Sequence, residues 1–149
     1  MKYRKMLPTD KEEMISFFSE MSELSTLFFN RGHGNEKIAM RFMESGIPNY
    51  EFYVMEDEGK ILGYTFTWDM DRSVPWFGIC VSEGCHGKHV GTEMLSATLK
   101  DLEKRGYGGL LLTTAQNNFK GQALYEKCGF EKLGVYKDGE FLYLRRFNK

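Results

Sequence analysis

The sequence has little of what marks several common classes of protein. Among its 149 residues are three cysteines and three prolines, and lysine plus arginine nearly balance aspartate plus glutamate, which leaves a net charge of −1. An odd, small number of cysteines argues against a disulfide framework. A near-neutral charge argues against a nucleic-acid partner, which usually meets a basic face. Because the sequence has no apolar run of membrane length and no pattern of a secretory signal, we expect a soluble, cytoplasmic protein without a membrane partner.

What the sequence does have is a steady succession of apolar patterns without repeats, low-complexity segments or linkers. We therefore expect one domain over residues 1–149, a length that suits a single hydrophobic core. The patterns predict strands at about 2–7, 50–55, 61–68, 74–81, 110–112, 130–136 and 140–146. They predict helices after a cap at Thr9 or Asp10 and at about 36–44, 90–105 and 118–128.

Three of these elements decide the fold class. The first helix is predicted to bury a crowded face of Met14, Ile15, Phe17, Phe18 and Met21, and the third a face of Val90, Met94, Leu95, Leu99 and Leu102. The run 110–112 is apolar without alternation, which is typical of a parallel strand buried on both faces. A strand, a helix and such a strand in succession imply a parallel crossover. The order β-α-α-β-β-β-α-β-α-β-β therefore predicts an α+β fold.

The segment 79–92 passes from a strand through a loop with small residues straight into a helix. This arrangement points backbone N–H groups and the positive end of the helix at one place, which suits a phosphate. Gly87 and Gly91 allow a ligand close to the backbone, and Lys88 adds positive charge. On these features alone, an ordinary tight turn between strand and helix fits equally well.

A second segment, 118–130, follows the next predicted strand and specifies the family. Together the two segments resemble the GNAT superfamily of acetyl-CoA-dependent N-acetyltransferases. The first segment matches the pyrophosphate loop of that family, [R/Q]-x-x-G-x-[G/A], and the second matches N-x-x-A-x-x-L-Y-x-x-x-G-F. The resemblance covers essentially the whole chain. It implies a three-layer α/β/α fold around a mixed, central sheet of about seven strands with a splay between strands 4 and 5.

The resemblance also implies roles for particular residues. It implies transfer of an acetyl group from acetyl-CoA, used as a cosubstrate without a metal, to a primary amine by direct attack in a ternary complex. Tyr125 would be the catalytic residue that donates a proton to the departing sulfur, and Asn118 would contact the cofactor near its reactive end. The remaining cofactor contacts would come from Ile79, Cys80 and Val81 for the pantetheine arm and from His86, Gly87, Lys88, His89, Val90, Gly91 and Thr92 for the pyrophosphate.

Three positions depart from the family pattern. His86 stands at the Arg/Gln position and can still donate a hydrogen bond, and His89 stands at the first motif glycine. Gly121 replaces the motif alanine, which we expect to be sterically harmless. None of these changes removes a backbone amide of the loop, so the cofactor site is expected to survive them.

The general base is not evident from the sequence. Family members that acetylate protein N-termini often carry a glutamate five residues before the motif asparagine, and Thr113 stands there. The candidates that remain are a water chain to bulk solvent and four side chains: Glu83, Asp69, Asp71 and His33. A zinc site built from Cys80, Cys85, His86 and His89 is a weak alternative, because these ligands crowd one strand end instead of forming two separated pairs.

The acceptor and the assembly are also open at this stage. The resemblance implies that the acceptor amine, of a small molecule or a peptide, lies against segments 24–46 and 135–141, where Phe28, Phe29, Arg31 and His33 are candidate lining residues. Polyamines, amino acids, antibiotics and peptide amines all fit, as do a monomer and a homodimer. A catalytically idle CoA-binding module, acting as a sensor or partner subunit, is the alternative from another functional class.

Overall fold

The computed structural model describes residues 1–21, 35–85 and 89–147, where the chain forms seven strands and four α-helices. The strands are β1 (Lys2–Lys5), β2 (Glu51–Asp57), β3 (Lys60–Trp68), β4 (Trp76–Val81), β5 (Gly109–Thr114), β6 (Glu131–Val135) and β7 (Phe141–Arg146). The helices are α1 (Lys11–Ser19), α2 (Glu36–Ser45), α3 (Val90–Lys104) and α4 (Phe119–Lys127). The predicted acceptor residues Phe28, Phe29, Arg31 and His33, the loop residues His86, Gly87 and Lys88, and the side chain of Glu83 lie outside the described residues.

All seven strands belong to one mixed sheet. Their order is β1-β2-β3-β4-β5-β7-β6, and every neighbouring pair is antiparallel except β4 with β5. That pair is parallel because α3 carries the chain back between the two strands. Helices α1 and α2 pack on one face of the sheet, and α3 and α4 pack on the other. The predicted α+β fold with three α/β/α layers is therefore confirmed.

The sheet separates between its two parallel strands. Strands β4 and β5 share a single register pair, Trp76 with Leu111, and the Leu111 N–H donates to the Pro75 carbonyl at 2.9 Å. From Phe77 onward, β4 continues to pair with β3 only. The backbone groups of β4 that point toward β5 therefore lack a strand partner, and such groups need solvent or a ligand. The predicted splay between strands 4 and 5 is present.

The first face of the sheet is covered by α1 and α2. Met14 and Phe17 of α1 are buried, whereas Ile15 is 47% exposed, so its predicted place in the core is wrong. The reason is helical geometry, because Ile15 lies about 100° around the helix from Met14 and about 200° from Phe17. Asn35 begins α2, where its side chain accepts a hydrogen bond from the Ile38 N–H at 3.1 Å.

The second face of the sheet is covered by α3 and α4. As predicted, α3 buries Val90, Met94, Leu95 and Leu102, with Leu99 half-buried. Helix α3 ends at Gly106, which adopts φ 91°, a left-handed conformation that glycine takes without cost. In β5, Leu110 and Leu112 are buried and Leu111 is half-exposed, so this strand is fully covered on one face and not on both as predicted.

An ion-pair cluster fixes the start of the chain. Arg4 of β1 donates to both carboxylate oxygens of Asp10 at 2.9 and 2.8 Å and to Glu56 of β2 at 2.8 Å. Asp10 is buried and also accepts the Leu7 N–H at 2.7 Å. The hydrogen bonds from Arg4 lower the pKa of Asp10, although burial opposes the shift. The cluster ties β1 to β2 and to the beginning of α1.

Candidate functional site

The carboxyl end of β4 presents alternate side chains to the two layers of helices. Ile79 and Val81 pack against Val90 and Met94 of α3, whereas Cys80 packs with the core beneath α1 and α2. This alternation follows from the two-residue repeat of a strand. Since β5 does not pair with this part of β4, the backbone of Ile79, Cys80 and Val81 borders the splay. An extended ligand lying in the splay can therefore hydrogen-bond to β4 as a missing strand would.

Helix α3 begins at the edge of the same opening. His89 is its N-cap residue, adopts a left-handed φ of 64° and provides no side-chain cap. The first N–H groups of an α-helix have no partner within the helix, and they carry the positive end of its dipole. Val90, Gly91 and Thr92, which form the first turn, were predicted to bind a pyrophosphate. A helix of 15 residues that starts uncapped beside the splay suits that role.

The two sequence motifs meet at Gly91. A Cβ atom at this position would lie 3.4 Å from Leu124 Cδ2 of α4 and 3.5 Å from Val81 Cγ2 of β4. These are ordinary contact distances, so the protein alone does not demand a glycine here. The structure thus brings the start of α3, the end of β4 and one face of α4 together around one opening.

Asn118 forms the N-cap of α4. Its Oδ1 accepts a hydrogen bond from the Gly121 N–H at 3.2 Å, and its Nδ2 donates to Thr114 Oγ1 at 3.0 Å. The side chain therefore fixes α4 to the end of β5. An amide side chain has two N–H donors and an oxygen with two lone pairs. One donor and one lone pair of Asn118 remain for the predicted contact with a ligand.

Tyr125 of α4 lies where the splay opens. Its side chain is 7% exposed, and its ring packs at 5.9 Å from the rings of both Phe130 and Tyr143. Within the described part of the chain, its hydroxyl has no hydrogen-bond partner. No fully buried side-chain oxygen in that part lacks a partner, so the hydroxyl oxygen keeps some exposed surface.

Burial raises the pKa of the Tyr125 phenol well above its ordinary value. Smaller contributions in the same direction come from Cys80, Glu140 and Tyr143. Cys80 belongs to β4 and Glu140 immediately precedes β7, so these groups lie on the two sides of the splay. The hydroxyl therefore stays protonated at neutral pH.

A row of aromatic rings crosses the face of the sheet opposite α3. Trp68 stacks on Tyr50 at 6.5 Å and on Trp76 at 6.0 Å, and Trp76 meets the edge of Tyr136 at 5.5 Å. Tyr136 lies in the hairpin that joins β6 and β7, within the segment 135–141 that was predicted to border the acceptor. The hairpin therefore reaches across β5 to the first residue of β4.

The predicted base candidates fall in different surroundings. Asp69 is half-buried in the left-handed conformation, φ 59°, and its charge contributes to raising the pKa of Tyr50, an effect that burial dominates. Asp71 is exposed. Sequence reasoning missed Trp76 and Tyr136, whose rings meet at 5.5 Å at the start of β4. The available signal for the hairpin that carries Tyr136 was Asp138-Gly139, a turn pair between two predicted strands.

The zinc alternative gains no support from the placement of its ligands. Over residues 1–21, 35–85 and 89–147, no three His, Cys, Asp or Glu side chains gather in an arrangement that would hold a metal ion. Over the same ranges, no helix is long and apolar enough to cross a membrane.

One comparison with known proteins identifies a family. The sequence model of the acetyltransferase (GNAT) family matches residues 18–130. A search of curated proteins gave no significant match. Among solved structures, the GNAT domain of S. lividans PAT is similar with a TM-score of 0.85 at 14% identity, covering 97% of this chain and 89% of that one.

Two further structures show the same fold over nearly the full length of both chains. The PaiA N-acetyltransferase from Thermoplasma acidophilum, solved in complex with coenzyme A, has a TM-score of 0.78 at 16% identity and covers 97% of this chain and 98% of its own. A ribosomal-protein-alanine N-acetyltransferase from Brucella melitensis has a TM-score of 0.76 at 16% identity and covers 98% and 99%. At these identities the similarity concerns the fold.

Proposed function

Because the chain belongs to the acetyltransferase (GNAT) family, we propose that it transfers an acetyl group from acetyl-CoA to a primary amine by direct attack in a ternary complex. The observation that carries the proposal is the hydroxyl of Tyr125. A phenol on a buried ring that has no hydrogen-bond partner in the described part of the chain, and whose oxygen keeps some exposed surface, supports a role toward a ligand. A residue that only packed α4 onto the sheet would not need that hydroxyl.

The described residues fit acetyl-CoA along the splay. The edge of β4 that borders the splay at Ile79, Cys80 and Val81 suits the amide groups of the pantetheine arm. The uncapped start of α3 suits the pyrophosphate, as does the sequence motif at residues 86–88, and Asn118 retains one donor and one acceptor. Acetyl-CoA supplies the thioester, which activates the acetyl group toward an amine.

Within this arrangement, Tyr125 acts as the general acid. The raised pKa of its phenol keeps the proton in place until charge develops on the departing sulfur. A positioned general acid typically accelerates such a step by about 10²–10⁴-fold. The amine approaches from the side of the aromatic row, where Trp76 and Tyr136 form a corner.

Acetyl-CoA binding is tested first by thermal unfolding with acetyl-CoA, CoA and, as a control, adenosine. A ligand at 100 times its Kd adds about 2.7 kcal/mol of stability. For a domain of this size we expect that gain to raise Tm by roughly 5–11 °C. No shift at millimolar acetyl-CoA or CoA would contradict the proposed cofactor site.

Transfer is tested next by measuring CoA release with a panel of amines: an alanine-initiated tripeptide, 1,4-diaminobutane, phenethylamine and lysine. Release above the rate of hydrolysis, together with the mass of the acetylated product, would support the enzyme. A clear thermal shift without transfer to a broad set of amines would instead favour the idle CoA-binding module.

A further inference from the structure

A row of large apolar side chains crosses strands β3, β4, β5 and β7 on one face of the sheet. The strand register pairs Trp68 with Trp76, Trp76 with Leu111, and Leu111 with Leu144. Paired residues of neighbouring strands project from the same face of a sheet. Trp68 packs against the core beneath α1 and α2, so the whole row lies on that face, opposite α3 and α4.

The part of this face that belongs to β4, β5 and β7 is only partly covered. Its half-buried apolar side chains are Trp76, Leu111, Leu142 and Leu144. Within residues 1–21, 35–85 and 89–147, none of the four belongs to a buried apolar cluster or packs against one. Leu110 and Leu112, which flank Leu111 in β5, are by contrast buried on the other face. An apolar surface left partly exposed beside a proposed active site suits an apolar ligand.

Two rings form a corner on this surface. The ring of Tyr136 meets that of Trp76 at 5.5 Å, with 60° between the ring planes. Tyr136 directly follows β6, and both β5 and β7 lie between β6 and β4 in the sheet. The two side chains therefore reach toward each other across the face that carries Leu111 and Leu142. We call Trp76 and Tyr136 the aromatic corner.

The aromatic surface continues from the corner to the edge of β4 that borders the splay. Phe66 stacks on Trp68 at 5.6 Å, and a Cβ atom on Gly78 would overlap the Phe66 ring. That ring therefore covers Gly78, which lies between Trp76 and Ile79 in β4. A strand rises about 3.3 Å per residue, so the step from Trp76 to Ile79 spans about 10 Å. A small molecule held at the corner can thus reach a thioester in the splay.

The charge beside the corner selects against a second ammonium group on the acceptor. Lys137 Nζ lies 5.7 Å from the centre of the Tyr136 ring, so this ring already has a cation over it. A diamine would bring its second ammonium group toward that like charge, which is unfavourable. An aromatic ring meets no such repulsion. It can adopt the stacked and edge-on arrangements that Trp76 already makes with Trp68 and Tyr136.

Resting on the proposed function, we propose that the acceptor is an arylalkylamine, a primary amine joined by a short carbon chain to an aromatic ring. The ring of the acceptor lies on Leu111 and Leu142 and against the aromatic corner. Its chain directs the nitrogen along β4 toward the thioester. Binding then covers apolar surface that the free protein leaves partly exposed, and the two residues of the corner determine which amine is accepted.

The first test measures kcat and KM by CoA release for the amine panel and for 2-cyclohexylethylamine, which resembles phenethylamine in length and bulk but has no aromatic ring. Phenethylamine should have the highest kcat/KM, by at least about 10-fold over 1,4-diaminobutane and the tripeptide. If either of these amines equals it, the arylalkylamine class is wrong and the proposed function stands. An equal value for 2-cyclohexylethylamine would also overturn the class, because bulk alone would then be selected.

The second test removes the corner with Tyr136→Ala and, separately, Trp76→Leu. Each should raise KM for phenethylamine by about 10-fold or more and leave KM for 1,4-diaminobutane and Kd for acetyl-CoA within error. Leu133→Ala is the matched control, since Leu133 is an apolar residue of the same hairpin, is 51% exposed and lies outside the corner. This variant should match the unaltered protein. The Tm of each variant shows whether it is folded.

An unchanged KM for phenethylamine in folded Tyr136→Ala would overturn the assignment of the corner. So would an equal rise in KM for 1,4-diaminobutane, because the effect would then not depend on the ring of the acceptor. Failure of the unaltered protein to acetylate any amine tested would overturn both this inference and the proposed function. Transfer to amines other than phenethylamine alone would overturn only the inference.

Discussion

A Cβ atom on Gly121 would lie 2.6 Å from Nδ2 of Asn118 and 3.1 Å from its Cγ. The asparagine side chain occupies the space that the first carbon of any other residue would fill. The glycine that replaces the motif alanine is therefore sterically harmless, as expected from the sequence, and it leaves the space in which this chain holds its helix cap.

We predict that Gly121→Ala does not stabilise the protein, although alanine is the better helix former. Alanine gains about 0.5–1 kcal/mol in a helix, but it displaces Asn118, and a lost cap costs about 0.5–2 kcal/mol. In the Asn118→Ala background, the same substitution should stabilise by about 0.5–1 kcal/mol. Urea unfolding of the four proteins checks this, and additive free energies would show that the two residues do not interact.

We predict that His89→Gly stabilises the protein and preserves or improves acetyl-CoA binding. His89 has φ 64°, where a side chain is strained and glycine is not. Relief of that strain, less the extra chain entropy of glycine, should give roughly 0.5–1 kcal/mol. His89→Ala is the control, since it removes the imidazole and keeps the strain.

Binding of acetyl-CoA to the same variants decides whether the imidazole is a ligand. A tenfold weaker Kd in both variants, about 1.4 kcal/mol, would show that His89 contacts the pyrophosphate.

We predict that Tyr125→Phe separates catalysis from binding. The substitution keeps the ring contacts with Phe130 and Tyr143 and removes only the hydroxyl. The Kd for acetyl-CoA should change little, while kcat falls by about 10²-fold or more. An unchanged kcat with a weakened Kd would make Tyr125 a binding residue, with water as the proton donor.

We predict that Asp10 makes stability depend on acidic pH. Arg4 lowers the folded pKa of Asp10 below its unfolded value of about 3.9. The contribution is therefore fully present above the unfolded pKa and is lost as pH falls through the folded one. Asp10→Asn should cost about 1.5–3 kcal/mol at pH 7, the usual range for hydrogen bonds to charged groups.

Urea unfolding at pH 7, 5 and 3 provides the measurement, and the difference between Asp10→Asn and the unaltered protein should shrink at the lowest pH. Glu44→Gln is the matched control, because its ion pair with Lys11 is exposed at 3.1 Å and such pairs contribute about 0–1 kcal/mol. A constant difference at all three pH values would show that Asp10 does not titrate between them.

The long-range parts of the site were the hardest to predict from the sequence. The face of α3 followed from its 3.6-residue period, whereas the left-handed conformation of His89 was not predicted. Nothing local indicated that Ile15 would lie outside the core, because a crowded apolar segment contains more candidates than one face can bury. The contact of Tyr136 with Trp76 depends on how a hairpin folds across β5, and adjacency in sequence carries no information about that.

The splay has a consequence for where the protein opens. In most sheets the central strands protect their amides best and the edges exchange with solvent first. In this protein the splay lies between two central strands of the sheet. The N–H groups of β4 that face β5 should therefore exchange with deuterium sooner than the N–H groups shared by β2 and β3. The two halves of the sheet are joined by the register pair of Trp76 with Leu111. A second contact between them is that of the Tyr136 ring with the Trp76 ring. A ligand bound in the splay would hydrogen-bond to β4 as the absent strand would. Amide exchange should then slow at the centre of the sheet.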